Sequence, residues 1–382
     1  MTWHLVTGEY PPACGGVGDY TADLAQALAL AGDTVHVWVP GAFTRKDAEP
    51  HTSITVHELP DRFGRASRRV LANAWRESRG IVLLQYVPNA LGARGANLPF
   101  CWWLRRVHRA GADVRVMFHE PYFYFSLERP WRNALALAQR MMAAILLQSA
   151  TRIYLSTETW TRYLAAVGVL PPAEALAVPS SLPSTASPAA IDRWRREIAP
   201  EGAQIVGHFG TYGDHVAAEL HAALPVLAER LPAIRFALAG AGSVEFLADI
   251  RQRHPRLAAR AWASGRLEPD AVAAVLRACD LLLQPYPDGI TTRRTSVMAG
   301  LKNGVATVST SGCLTESVWN TTRAAALAPA GDAGGLADIV EGLLSDPTAR
   351  AALGSRGAQA YCQHFSVEHT VAALRAQPAG GA

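Results

Sequence analysis

Short apolar runs alternate with longer stretches in which apolar residues recur at helical spacing along most of this chain. Short apolar runs are typical of strands buried on both faces, and the longer stretches are typical of amphipathic helices. The predicted strands are residues 3–7, 34–39, 54–57, 81–86, 114–118, 153–156, 205–209, 234–239, 261–263, 281–285 and 305–309. The predicted helices include 20–31, 133–148, 217–229, 271–279 and 367–376. This alternation predicts an α/β fold whose parallel sheets are covered by helices on both faces.

The alternating pattern is interrupted once, at residues 179–188, PSSLPSTASP, which reads as a linker. A chain of 382 residues fits two domains of about 150 to 200 residues each. We therefore expect two Rossmann-like domains, 1–182 and 183–365, facing each other across a cleft.

The composition is that of a globular protein, with 49% hydrophobic and 18% charged residues. The net charge of +4 is small and the basic residues are scattered, which argues against a nucleic-acid-binding protein. Five cysteines without CxxC spacing indicate neither a disulfide framework nor a zinc site. We expect a protein of the reducing cytoplasm.

The sequence starts without a secretory signal pattern and contains no apolar stretch long enough to span a bilayer. Residues 129–152 nevertheless have arginines at both ends of a largely apolar middle, and residues 102–106 read WWLRR. This pattern is compatible with peripheral contact at the inner face of the plasma membrane. Core packing within the first domain is the alternative explanation.

The loop with the richest candidate chemistry lies within residues 281–310, between a predicted strand and a helix that opens at Thr295 or Ser296. A helix N-terminus offers unpaired N–H groups and a partial positive charge to a phosphate or a sugar hydroxyl. Thr295 and Ser296 suit its cap, while Arg293 and Arg294 can offer forked donors to phosphate oxygens. Asp288 supplies a carboxylate. A solvated connection between strand and helix remains the alternative.

Two further candidates follow strands in the first half of the chain. Gly15, Gly16 and Gly18 leave no side chain between the backbone and a ligand, although GGVG is a weak signal by itself. His119 follows the strand 114–118, at the edge where open α/β sheets bind ligands. A structural role is the alternative for a single histidine.

The motifs, taken together and in order, resemble the retaining nucleotide-sugar glycosyltransferases of the GT-B fold, family 4. The matching segments are YPPACGGVGDYTADLAQALALAGDTVHVW, FHE, IVGHFGTYG, ALAGAGS, ASGRLEPDAVAAVLRACDLLLQPYPDG and GVATVSTSGCLTESV. They extend over almost the full length. The resemblance implies a first, acceptor domain completed by a C-terminal helix within 366–382, and a second, donor domain.

The resemblance also implies roles for individual residues. Gly15 to Gly18 would approach the donor diphosphate and the acceptor, and His119 would lie beside the donor sugar. Gly265 to Leu267 would meet the nucleobase. The implied donor-binding residues of the second domain are Gly210, Thr211, Arg266, Leu267, Gly289, Ile290, Thr291, Arg293, Arg294, Thr295 and Ser296. Asp288 would orient the sugar hydroxyls, and Glu316 matches a glutamate with a more structural role.

The sequence departs from the family pattern at two places. Of the two glutamates that the family places eight positions apart, the second is absent, since Ser296 or Ala299 occupies its position according to the register chosen. The basic pair expected after Gly210 is replaced by TYGDH. We interpret Arg293 and Arg294 as the replacement for that basic pair, and an inactive site is the rival interpretation.

The function that these features predict is the retaining transfer of a hexosyl group from a nucleotide-diphosphate sugar to a glycan, lipid-linked or small-molecule acceptor. The resemblance implies that neither a metal ion nor another cofactor is required. Two alternatives are an epimerase or phosphorylase with the same fold, and a catalytically silent nucleotide-sugar-binding subunit.

Overall fold

The computed structural model describes residues 1–12, 15–41 and 53–376, and it divides the chain into two compact units. The first unit contains Met1–Ala177 and the chain from Val367 onward, and the second is Val178–Ser366. The boundary therefore lies before residue 182, the expected end of the first domain. Val178 N donates to Thr292 O (3.0 Å), and Ser180 N donates to the Tyr361 hydroxyl (3.3 Å), so this stretch is held by the second unit.

The first unit is a parallel sheet with helices. Its strands are β1 Thr2–Val6, β2 Thr34–Pro40, β3 Ile54–Leu59, β4 Ile81–Tyr86, β5 Val114–Phe118, β6 Arg152–Leu155 and β7 Ala173–Ala175. Its helices before the boundary are α1 Gly16–Leu30, α2 Arg65–Glu77, α3 Leu98–Arg109, α4 Asn133–Leu147 and α5 Trp160–Ala165. Short 3-10 turns occupy Pro88–Leu91, Ala93–Gly95 and Pro130–Arg132.

The strand order among the described residues of the first unit is β3-β2-β1-β4-β5-β6-β7, and all paired strands are parallel. The central strands are mainly apolar and almost wholly buried, as expected for a sheet covered on both faces. The order reverses between β1 and β4. At such a switch point the loops that follow the strands diverge to opposite faces and leave a crevice for ligands.

The second unit repeats this design. Its strands are β8 Ile205–Phe209, β9 Arg235–Ala239, β10 Ala261–Ala263, β11 Leu281–Gln284, β12 Thr307–Ser311 and β13 Ala326–Pro329. Its helices are α6 Pro188–Ile198, α7 Asp214–Arg230, α8 Ser243–Arg253, α9 Pro255–Ala258, α10 Pro269–Ala278, α11 Thr295–Lys302, α12 Ser317–Thr322, α13 Ala333–Ser345 and α14 Pro347–Ala360, and a π-helical turn occupies Tyr361–Phe365. The parallel order β10-β9-β8-β11-β12-β13 places the switch point between β8 and β11.

The last helix, α15 Val367–Arg375, belongs to the first unit, as the resemblance implied. It packs on α1, and two arginines fasten it. Arg115 Nη1 donates to Leu374 O (2.6 Å), and Arg375 Nε lies 3.5 Å from Asp33 Oδ2. The expected α/β class and the return of the final helix are both confirmed.

One local prediction was wrong. The helix predicted from residue 20 begins at Gly16, so Gly16 and Gly18 are first-turn residues of α1 rather than loop residues. The stretch predicted as a linker, 179–188, begins just after the boundary between the units and forms neither helix nor strand before α6. Two side chains of the second unit bind it, because Lys302 Nζ donates to Ser180 O (3.1 Å) and Asn303 Nδ2 donates to Pro183 O (3.3 Å).

Candidate functional site

The loop between β11 and α11 is held tightly against the segment that follows β12. Ile290 N donates to Thr310 O (2.8 Å), and Leu314 N donates to Asp288 O (2.9 Å). Gly289 has φ +88°, and a Cβ atom at this position would collide with Thr315 Oγ1 and with backbone atoms of the neighbouring segment. Only glycine combines that φ with this approach. The Asp288-Gly289 turn is therefore a built feature of the second unit.

The Glu316 carboxylate fixes the middle of the same loop. Glu316 is 4% exposed and accepts from Thr292 N (2.9 Å), from Thr292 Oγ1 (2.5 Å) and from Trp319 Nε1 (2.8 Å). A buried carboxylate needs such donors, because leaving it without partners would cost several kcal/mol. The geometry is that of a clamp that sets the path of residues 291–294.

Arg293 and Arg294 lie where this loop enters α11. Arg294 is the N-cap residue, and no side chain caps the helix. The Arg294 guanidinium stacks over Tyr286 (4.3 Å to the ring centroid), and burial, together with neighbouring Arg293, lowers the Arg294 pKa. Its Nε is buried without a hydrogen-bond partner among the described residues. Two adjacent cations at a positive helix end favour an anion there.

The expected caps of α11 are not made. Thr295 is the first helical residue and is exposed, while the Ser296 hydroxyl lies 2.8 Å from the Tyr286 hydroxyl. Ser296 thereby fixes the ring on which Arg294 stacks. Val297 N already donates to Arg294 O (3.0 Å), so among the described residues the N–H groups of Thr295 and Ser296 are the ones left for another acceptor.

Three buried polar atoms of the second unit near the carboxyl ends of β8 and β11 have no hydrogen-bond partner among the residues described: His208 Nε2, Gln284 Nε2 and Thr291 Oγ1. His208 Nδ1 donates to Leu283 O (2.8 Å), and burial lowers the His208 pKa to about 4, so Nε2 is an unprotonated acceptor. Buried polar groups are nearly always satisfied, by protein, water or ligand. Their concentration at this edge indicates a polar ligand site.

The other predicted residues of the second unit follow neighbouring strands. Gly210 follows β8, and its carbonyl oxygen touches the position that a Cβ of Gly240 would fill. Gly242 similarly lies against Thr211 O. Both contacts bring the turn after β9 against the loop after β8. Gly240 and Gly242 therefore allow these two loops to lie in close contact, while Thr211 is exposed.

Residues 265–267, which the resemblance places beside the nucleobase, are only partly available for binding a ligand. Gly265 N donates to Ser243 Oγ (2.9 Å), so this N–H is already used. Leu267 packs against the core, while Arg266 is exposed. Ile290 is likewise fully buried and its N–H is used, so it shapes the loop rather than presenting a polar group.

In the first unit, the start of α1 already carries an anion. Glu9 Oε1 accepts from Val17 N (3.0 Å) and from Gly18 N (3.2 Å), and a Cβ on Gly15 would collide with this carboxylate. Gly15 therefore admits the protein's own carboxylate, whereas we expected this segment to approach a diphosphate. A phosphate could use these N–H groups only if Glu9 moved away, because like charges repel.

His119 lies at the carboxyl end of β5 and is 6% exposed. Its Nε2 donates to Gln85 Oε1 (2.8 Å), which leaves Nδ1 as the acceptor. Burial lowers the His119 pKa to about 3, so the ring is neutral near pH 7. The ring packs edge-on against Tyr20 of α1 (5.0 Å between centroids), which joins His119 to the glycine segment.

Sequence reasoning did not assign Glu9, Gln85 or His208. Gln85 and His208 are polar residues near the carboxyl ends of otherwise apolar central strands, and that interruption of an apolar run was the available signal. Glu9 gave no comparable signal, because it lies outside the predicted strands and helices. The structure groups the predicted residues of each unit at the carboxyl edge of that unit's sheet.

A family model described as Glycosyl transferases group 1 matches residues 203–346. A comparison with curated proteins found no match. Among solved structures, sucrose-phosphate synthase from Thermosynechococcus elongatus is similar, with 15% identity, a TM-score of 0.72, and coverage of 98% of this chain and 97% of that chain. Anabaena HepE in complex with UDP-glucose has 17% identity, a TM-score of 0.65, and coverage of 98% and 99%.

WaaG, described as a glycosyltransferase involved in lipopolysaccharide biosynthesis, has 14% identity, a TM-score of 0.65, and coverage of 98% of this chain and 100% of that chain. At identities this low, the similarity to these structures shows the fold alone. The expected likeness to GT-B glycosyltransferases is confirmed by the fold over the full length and by the family match within the second unit.

Proposed function

We propose that this chain, which has the GT-B glycosyltransferase fold and a glycosyl transferases group 1 match in its second unit, transfers a sugar from a nucleoside diphosphate to a hydroxyl acceptor. The observation that carries the proposal is the arginine pair at the uncapped start of α11. The unsatisfied polar atoms His208 Nε2, Gln284 Nε2 and Thr291 Oγ1 support it.

The proposed role of Arg293 and Arg294 is to stabilise the departing diphosphate. Charge builds up on the leaving group as the bond to the sugar breaks, and donors placed in advance lower the barrier most effectively. A guanidinium can bind two phosphate oxygens at once. Glu316 contributes indirectly, because it holds the loop that presents both arginines.

The proposed chemistry retains the configuration of the sugar and requires no metal ion. In this scheme the acceptor hydroxyl attacks from the face that the diphosphate leaves, and a phosphate oxygen takes its proton. The bond from the anomeric carbon to the diphosphate breaks as the bond to the acceptor oxygen forms. Asp288 is exposed at the tip of the loop, where we propose that it orients a sugar hydroxyl.

His119 is proposed to position a substrate hydroxyl through Nδ1. A neutral imidazole whose Nε2–H is already donated to Gln85 can accept a hydrogen bond but carries no charge to share. This refines the expected role, which included the sharing of developing charge. The sugar is proposed to be a hexose, and the acceptor a hydroxyl of a glycan, a lipid-linked molecule or a small molecule.

The first experiment is a turnover panel with purified protein, in which nucleotide sugars are combined with candidate acceptors. UDP-glucose is the first donor to test, because HepE was solved with it. We expect nucleoside diphosphate release that depends on an acceptor, and a product whose anomeric configuration matches the donor by NMR.

Other outcomes identify the rivals. An epimerised donor or a free sugar phosphate without acceptor would indicate an epimerase or a phosphorylase. Donor binding without any turnover would indicate the silent subunit. An inverted product would reject retention while leaving sugar transfer in place.

A further inference from the structure

Helix α4 is apolar on both of its faces although one face meets solvent. Its buried side includes Met142 and Leu146, and its outer side carries Leu137 and Met141, which are 54% and 49% exposed. The helix contains one charged residue, Arg140, whose Nη1 donates to Phe123 O (2.8 Å). A helix that is apolar all round is normally buried. Core packing therefore explains the buried apolar face of α4 within residues 129–152. It does not explain the apolar face that meets solvent.

The segment before α4 extends this apolar surface. Tyr124, Phe125, Leu127 and Trp131 are 56%, 56%, 99% and 73% exposed. Together with Leu137 and Met141 they form what we call the aromatic surface, which holds half of the large hydrophobic side chains that are exposed in the described part of the chain. Concentration of this kind marks an interaction site, whereas scattered exposed residues need no explanation.

The charges beside the aromatic surface are mainly positive. Residues 121–147 contain Arg129, Arg132 and Arg140 against a single acid, Glu128. Arg129 is exposed, while the Arg140 guanidinium folds over the ring of Phe125 (3.9 Å to the centroid). Arginine beside exposed Trp, Tyr and Phe is the composition of surfaces that enter the headgroup layer of an anionic bilayer.

We propose that the aromatic surface binds the face of an anionic lipid bilayer. No helix within the described residues is both long and apolar enough to cross a membrane, so contact would be at the interface. A second copy of the chain is a poorer occupant, because a symmetric pairing would bring Arg129 and Arg132 of both copies together. The inference goes beyond the proposed function, since vesicle binding requires no sugar transfer.

The test is co-sedimentation of the full chain with vesicles at low salt. Vesicles containing equal amounts of phosphatidylglycerol and phosphatidylcholine are compared with pure phosphatidylcholine. We expect binding to the anionic vesicles that weakens as salt is raised, because the arginine contribution is screened. The double variant Leu127→Ser/Trp131→Ser should bind on the order of tenfold or more weakly, since it removes much of the inserted apolar area. Both side chains are exposed, so the fold should survive.

The matched control is Val169→Ser, which alters an apolar residue of the same unit that is 91% exposed but lies outside the aromatic surface. It should bind vesicles like the unaltered protein. The proposal is overturned if the unaltered protein does not sediment with anionic vesicles, or if the control and the double variant lose binding equally. It is also overturned if sedimentation velocity shows a dimer that only the double variant dissociates, because the occupant would then be a second copy.

Discussion

At the scale of single residues, burial decides what the candidate side chains can do. His119 follows β5 and His208 lies near the carboxyl end of β8, and burial lowers the pKa of each, to about 3 and about 4. Both imidazoles are therefore neutral near pH 7 and offer one acceptor nitrogen each. They suit hydrogen bonding to hydroxyl groups, whereas the arginines of the β11–α11 loop supply the positive charge that a diphosphate needs.

The first residue-scale prediction concerns the charge of His119. Its pKa in the folded protein is about 3, whereas an unfolded histidine has a pKa near 6.5. The stability that neutral His119 contributes is therefore complete above about pH 6.5 and is lost as the pH falls below that value, since the unfolded chain then takes up the proton. Nitrogen-15 NMR should show the neutral Nε2–H tautomer of His119 with no titration from about pH 8 to about pH 5.

A matched variant tests the partner of His119. Gln85→Leu removes the acceptor for Nε2, so the tautomer preference should weaken while the ring stays neutral. Protonation of the His119 ring between about pH 8 and about pH 5 would contradict the burial argument.

At the scale of elements, α11 and the loop before it depend on contacts with residues distant in sequence. Glu316 lies 24 residues from Thr292, with which it makes three hydrogen bonds. Sequence patterns predicted the strand, the loop and the helix, because apolar periodicity is local. They did not predict that Ser296 bonds to Tyr286 instead of capping α11. Which acceptor a hydroxyl selects depends on the tertiary packing around it.

The element-scale prediction is a double-mutant cycle at this clamp. Glu316→Gln replaces one carboxylate oxygen with an amide NH₂ group, which cannot accept a hydrogen bond from Thr292 or Trp319. The free energy of unfolding should therefore fall by about 1–3 kcal/mol. Thr292→Val removes one donor, and the two changes should couple by roughly 1 kcal/mol, because the residues share hydrogen bonds. Urea unfolding and donor binding are measured in parallel, and donor affinity should fall with the loosened loop.

Thr321→Val is the control for this cycle, because Thr321 lies on the nearby helix α12 and its hydroxyl donates to Ser317 O at an exposed position. It should not couple to Glu316→Gln. Additive effects of Glu316→Gln and Thr292→Val would show that the carboxylate does not set the path of the loop.

At the scale of the whole molecule, the two sheets share one order over six strands, but different polar groups lie at their carboxyl edges. The alternation of strands and helices predicted both sheets except for the last strand of each, β7 and β13, and it predicted the edge at which candidate residues lie, since the carboxyl ends of parallel strands meet at one side. It was not sufficient to predict that Glu9 accepts from N–H groups at the start of α1, because a helical pattern does not show which acceptor those groups meet. We therefore assign the diphosphate to the start of α11, which has two arginines, and not to the start of α1, where the Glu9 carboxylate already lies.

We propose that the start of α11 binds the diphosphate of a sugar donor. Isothermal titration calorimetry with UDP and with UMP tests it directly, using the unaltered chain and the double variant Arg293→Ala/Arg294→Ala. Arg256→Ala is the control, because Arg256 is exposed in the same unit. A charged hydrogen bond contributes about 1.5–3 kcal/mol, so the double variant should bind UDP on the order of a hundredfold more weakly and lose its preference for UDP over UMP. Equal UDP affinity in the double variant and the unaltered chain would show that Arg293 and Arg294 do not bind the diphosphate.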